Sequence, residues 1–298
     1  MHVTSRRVAS VVNQLHYIKV SDPMLSLERF PDFLIAGPQR TGTTWLHAHL
    51  RYHPEIFLSE PKELFFFSRL KTPHAPKFQS TELAWYLKFF RDPLWRYVLK
   101  NAITLRKYGQ RYRPRVRGEA TASYAALDAD VIREITALNP DIRVILMIRN
   151  PIDRAWSHAK KDLARNRSRR LADVTEAEFK TFFTDPYQRQ CAHYVENYDN
   201  WAAHLKDGHL FGGCFDDIAL RPEALLLRVM SFLGVTSDPR YIDHTVREAV
   251  NPTATSEVPA EYRRFLGDLF KDDLEKLRRR FGLTWPTEGA GSDSAPRA

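Results

Sequence analysis

AGPQRTGTTWL, residues 36–46, decides the fold. Just before it, DFLIAG (32–37) is a short apolar run closed by glycine, the pattern of a buried strand. Just after it, Trp45, Leu46, His49 and Leu50 fall on one helical face, and Pro54 marks the stop. A glycine loop that runs from a strand into a helix leaves several main-chain N–H groups unpaired and convergent, and the helix dipole adds partial positive charge there. Gly37 and Gly42 have the spacing of G-x-x-x-x-G-K-[ST], but Thr43 stands where the lysine belongs and the basic residue is Arg40, inside the loop. The stretch predicts an anion cradle made by Arg40, Thr41, Gly42, Thr43 and Thr44.

Outward from this loop, IRVILMIRN (142–150) reads as a second buried strand and HLFGGCF (209–215) as a third. Helices are expected over 82–90, over 128–140 with Asp128 as cap, over 151–166 opening on Pro151, and over 194–205, 222–234 and 261–281. Strands alternating with helices predict an α/β fold, a P-loop-like three-layer domain with a central parallel β-sheet flanked by helices. That domain is expected over 31–286, after an N-terminal arm (1–30) and before a disordered tail (287–298). Residues 91–117, rich in Arg, Lys and Tyr, fit no pattern and read as a mobile insertion.

The chain has 298 residues and a formal net charge of +9, which favours an anionic ligand; nucleic acid is one such anion. Two cysteines make neither a disulfide framework nor a zinc site, so a reducing interior is expected and no metal. No stretch approaches the roughly 18 apolar residues of a membrane span.

A nucleotide triphosphatase needs its lysine and an acidic strand end for magnesium. Here the second strand ends in Arg149, and Ser157 follows about two helical turns later. Arg149 and Ser157 offer a charge and a hydroxyl to a second anion beside the first. A P-loop kinase or NTPase, and a non-catalytic nucleotide- or nucleic-acid-binding protein, stay open as alternatives at this point.

FLIAGPQRTGTTWL followed by VILMIRNPIDRAWSHA resembles the sulfotransferases that use 3′-phosphoadenosine 5′-phosphosulfate (PAPS). The likeness continues through PKELFFF, GEATASY, YVENYDNW and PEALLLRVMSFLGV, covers most of residues 31–236, and leans to the bacterial and glycan N- and 3-O-sulfotransferase branch. It implies that the first motif holds the 5′-phosphosulfate, that Arg149 and Ser157 hold the 3′-phosphate, and that Arg40 stabilises the leaving phosphate. It implies Glu63 as general base, Lys62 near the sulfonyl group, and Trp45 beside the adenine. Lys161 stands where some glycan enzymes carry histidine. The expected partners are PAPS or its product PAP and an acceptor, with no nucleic acid. A homodimer stays open, in a bacterial, cytoplasmic enzyme. The family's basic, glycine-containing loop near the C-terminus has no counterpart in NPTATSEVPAEYRR, where Arg263 or Arg264 could substitute. The cluster KKDLARNRSRR reads as a solvated face, and the aromatic residues Phe65–Phe67, Trp85, Tyr86 and Phe89 as acceptor pocket or core.

Overall fold

A computed structural model describes residues 7–248 and 257–285. In chain order the elements are β1 (Phe33–Gly37), α1 (Thr43–Leu50), β2 (Ile56–Leu58), α2 (Phe66–Arg69), α3 (Leu83–Leu87), α4 (Leu94–Tyr108), β3 (Val116–Ala120), α5 (Ala129–Leu138) and β4 (Arg143–Ile148). There follow α6 (Pro151–Ala159), α7 (Glu176–Thr184), α8 (Pro186–Gln190), α9 (Tyr194–Ala202), β5 (Leu210–Cys214), α10 (Asp217–Leu220), α11 (Pro222–Leu233), α12 (Ala260–Leu269) and α13 (Lys271–Phe281). The five strands form one sheet in the order β2-β3-β1-β4-β5, with every pairing parallel.

Side-chain alternation along a strand sends neighbours to opposite faces. Leu34 and Ala36 of β1 and Val144 and Leu146 of β4 pack on one face with Val131, Ile132 and Ile135 of α5 and Trp201 of α9. Phe33, Ile35, Ile145 and Met147 pack on the other with Trp45, Leu46 and Leu50 of α1 and Leu225, Leu226 and Val229 of α11. These are the three layers expected from the sequence. Because both faces are covered, β1 and β4 read as unbroken apolar runs.

Residues 91–117 are ordered elements, not an insertion without structure: α4 fills most of them and β3 begins at Val116. β3 escapes a pattern search because VRGEA carries Arg117, whose guanidinium lies over the Phe57 ring at 5.7 Å, and Glu119, whose carboxylate accepts from Thr121. Asp128 precedes α5 but makes no side-chain cap; its carboxylate takes Lys71 at 2.7 Å instead. The helix expected over 151–166 is α-helical only to Ala159, and Lys160–Ala164 form a π-helical turn. The helix expected over 261–281 is two, α12 and α13, parted at Phe270. Val8, Val11, Ile18, Leu27 and Phe30, from the segment read as an arm, are buried in the same core as α5. The tail over 287–298 lies outside the described residues.

Candidate active site

Parallel neighbours β1 and β4 end on the same sheet edge, so the loop after Gly37 and the residue after Ile148 emerge side by side. Two glycines shape the first loop. Gly37 has φ +103°, and a Cβ there would lie 2.1 Å from the Ala122 carbonyl oxygen; Gly42 has φ +90°, and a Cβ there would lie 2.3 Å from Ile218 Cδ1. Between them Arg40 is itself left-handed, at φ 70°. An arginine rarely takes this conformation, and the surrounding contacts must hold it there.

Those contacts join the two motifs. Arg40 donates from Nε to Ser157 Oγ at 2.9 Å, and Arg149 donates from Nη1 to the Arg40 carbonyl at 2.8 Å. The Arg149 guanidinium lies over the Phe215 ring at 4.1 Å, just past the end of β5. Asn150 caps α6 by accepting the Ile152 N–H at 2.9 Å, and Pro151 opens the first turn, which fixes the helix that carries Ser157.

Arg40, Gly42, Thr43, Thr44, Trp45, Arg149 and Ser157 all line one cavity of about 730 Å³. Thr41 does not: it is fully buried, and its hydroxyl donates to the Pro38 carbonyl at 2.6 Å, bracing the loop from behind. The indole N–H of Trp45 is committed to the Val246 carbonyl at 3.2 Å. Seven Lys and Arg residues line the cavity against the three carboxylates Asp153, Glu248 and Glu257. Burial, then the neighbouring Arg149, holds Arg40 below the usual arginine range; burial does the same to Arg149, Lys160 and Lys161. Cations drawn out of water next to each other raise the energy of the empty site and lower it when an anion arrives.

Glu63 lines a second cavity of about 460 Å³, together with Gln39, Phe65, Phe67, Ser68, Lys77, Ser123 and Tyr187. Lys161 and Asn166 line both cavities and form their shared wall. Like Arg40, Glu63 is left-handed (φ 64°). Its Oε1 accepts from Lys62 Nζ at 3.1 Å and from the Ala122 N–H at 3.3 Å, just past the end of β3. Lys62 pairs with Glu63 but lines neither cavity.

Sequence reasoning passed over the support under Glu63. The next residue, Leu64, donates its N–H to Thr121 Oγ1 at 3.0 Å, and Thr121 donates to Glu119 Oε2 at 2.8 Å. Tyr86 bonds the other Glu119 oxygen, and burial pushes the Glu119 carboxyl up to about 7. GEATASY held that signal: a Glu followed two places on by Thr, inside a strand, needs buried partners. Tyr86 and Phe66 belong to the core. Lys160, Lys161 and Arg165 of the basic cluster face the first cavity, while Arg169 and Arg170 pair on the surface with Glu178 and Asp173. Arg263 lines the first cavity and pairs with Asp153 at 3.5 Å; Arg264 does not line it. His47 on α1 and His53 in the turn after it are buried, bonded to the Ser59 and Thr236 carbonyls. Among the described residues no helix is long and apolar enough to cross a membrane.

The profile of the sulfotransferase family matches residues 31–239. The bifunctional heparan sulfate N-deacetylase/N-sulfotransferase 2 of Homo sapiens is 28% identical over 292 aligned positions, and its Bos taurus counterpart 26%; each alignment covers 87% of this chain and 31% of the relative. The chain thus spans about a third of the length of these relatives. A sulfotransferase from Alicyclobacillus acidocaldarius superposes with a TM-score of 0.56 at 22% identity, covering 84% of this chain and 94% of that one, which shows the shared fold. The profile match covers more than half of the chain and includes the glycine loop and the Arg–Ser pair that meet in one cavity. The chain belongs to the sulfotransferase family, the enzymes that take a sulfuryl group from PAPS.

Proposed function

We propose that this chain transfers the sulfuryl group of PAPS to a hydroxyl or amine on a polar, carbohydrate-like acceptor, with Glu63 as general base. The observation that carries the reading is the Arg40–Ser157 contact at 2.9 Å, which makes two anion grips one donor site beside the Glu63 cavity. The residues present fit a nucleotide phosphorylated at both ends of its ribose. The N–H groups at the start of α1, with Thr43 and Thr44, receive the 5′-phosphosulfate; Arg149 and the Ser157 hydroxyl receive the 3′-phosphate. Arg263, on α12, adds charge to the donor site.

In the transfer, the acceptor O–H or N–H gives its proton to a Glu63 carboxylate oxygen. The acceptor atom bonds to sulfur as the bond from sulfur to the 5′-phosphate oxygen breaks, and that oxygen keeps the electron pair as negative charge beside Arg40. Lys62 holds the Glu63 carboxylate in place. Gln39, Ser68, Ser123 and Tyr187 give the acceptor cavity a hydrogen-bonding wall that suits a sugar better than a phenol. The heparan sulfate N-sulfotransferase activity named in the relatives supports the same acceptor class.

The reading places the enzyme in a reducing, bacterial cytoplasm, supported by the unpaired thiols Cys191 and Cys214; finding both thiols oxidised in cell extract by alkylation would count against it. The main test is transfer of labelled sulfate from PAPS to a panel of sugars, amino-sugars, phenols and lipids. Label on the sugars is expected, and label on phenols alone would refute the acceptor class.

A further inference from the structure

α4 is built inside out. Its polar residues Lys100 and Thr104 are 9% and 2% exposed, with Lys100 Nζ over the Phe57 and Tyr112 rings. Its apolar residues face water: Leu94 is 77% exposed, Trp95 68%, Val98 57%, Leu99 52% and Leu105 41%. At 3.6 residues per turn Leu94, Val98 and Leu105 line up along one side, with Trp95 and Leu99 one step around it. A soluble helix turns this stripe inward, and an exposed patch of this kind marks a surface that something covers.

Charge identifies what covers it. Residues 88–115 hold nine Lys and Arg against the single acid Asp92. Lys88, Arg91, Arg106, Arg111 and Arg113 are exposed around the stripe. A second copy of the chain would set these charges against their own kind. A soluble polyanion would match the charges and leave the Leu and Trp side chains wet. An anionic lipid surface satisfies both, taking Trp and Leu at the headgroup boundary and drawing in the basic residues.

We propose that α4 docks the protein on anionic membrane surfaces. The helix is tied to the catalytic end of the sheet: Arg96 donates to the Leu58 carbonyl at 3.1 Å and pairs with Glu60 at 3.3 Å, three residues before Glu63. Docking therefore brings the segment that carries Glu63 to the lipid surface.

The test is co-sedimentation of the full chain with phosphatidylcholine vesicles, with and without about one-third phosphatidylglycerol. Binding to the anionic vesicles alone is expected, weakening as salt is raised. The double substitution Trp95→Ser with Leu99→Ser lies on exposed positions; it is expected to weaken binding at least about tenfold while the affinity for adenosine 3′,5′-bisphosphate is unchanged. No binding to anionic vesicles overturns the proposal, as does equal binding by the double variant. So does a dimer in sedimentation equilibrium that the double substitution dissociates, or binding to heparin but to neither vesicle.

Discussion

Arg149 reaches across from the end of β4 and donates to the main-chain carbonyl of Arg40 at 2.8 Å, so the two anion grips are a single hydrogen-bonded unit. On the proposed donor binding, Arg149→Ala removes a phosphate ligand and frees the loop at once. Affinity for adenosine 3′,5′-bisphosphate is expected to fall by about 100-fold, roughly 2.7 kcal/mol. Arg149→Lys is expected to recover only part of it, because an ammonium cannot serve a phosphate and a carbonyl with one planar fork. Titration calorimetry on both variants checks this, and an alanine variant that binds within threefold of the parent contradicts the assignment.

Glu63→Gln keeps the shape and the Ala122 contact but cannot take a proton. Turnover is expected to drop by at least about 100-fold, with binding of adenosine 3′,5′-bisphosphate held within about twofold. Single-turnover transfer of labelled sulfate gives the first number and calorimetry the second. Full activity in this variant removes Glu63 from the chemistry.

Gly37→Ala meets main chain, not a flexible side-chain end: the added Cβ would lie 2.1 Å from the Ala122 oxygen and 2.6 Å from its Cα. The loop must move away from the end of β3, and φ +103° adds strain that no rotamer relieves. A loss of at least about 3 kcal/mol in urea unfolding is expected. Gly109→Ala, also at positive φ but with open space around it, is expected to cost about 1 kcal/mol. Equal losses at the two positions go against this account.

Glu119 gives the fold a pH dependence of known sign. Its native carboxyl sits at about 7, against an ordinary value of 4.5, because burial penalises the charge. The folded chain therefore holds this proton more tightly than the unfolded one. The associated stability is complete below about pH 4.5 and is lost as the pH climbs through about 7, a span on the order of 3 kcal/mol. Glu119→Gln is expected to flatten the curve over that window; its single amide oxygen keeps one of the two hydroxyl bonds from Tyr86 and Thr121, and its NH2 meets the other hydroxyl as a donor. Parallel unfolding curves for parent and variant from acid to mildly alkaline pH exclude Glu119 as the source.

The sequence was most legible where local pattern and tertiary role agree. β1, the glycine loop and α1 could be read because a doubly covered strand is apolar throughout and a phosphate cradle needs glycine. The helix that carries Ser157 could be read because Pro151 suits its first turn. β3 could not, since Arg117 and Glu119 look like surface residues until the Phe57 ring, Tyr86 and the neighbouring Thr121 meet their side chains in the fold. α4 could not, since its apolar side faces out. Lys160 and Arg165 could not, since the α-helix gives way at Lys160 to a π-helical turn that a sequence pattern does not show, and these residues of a charged run line the first cavity.

Glu134 of α5 is 2% exposed, and its carboxylate takes the main-chain N–H groups of His16 and Tyr17 on one oxygen, at 2.8 Å each, and of Ile18 on the other, at 2.9 Å. A version of the enzyme trimmed to start at residue 31 would strip all three donors from this carboxylate. Anyone shortening this protein to its recognisable family portion would do well to keep those early residues, or to change Glu134 to leucine at the same time.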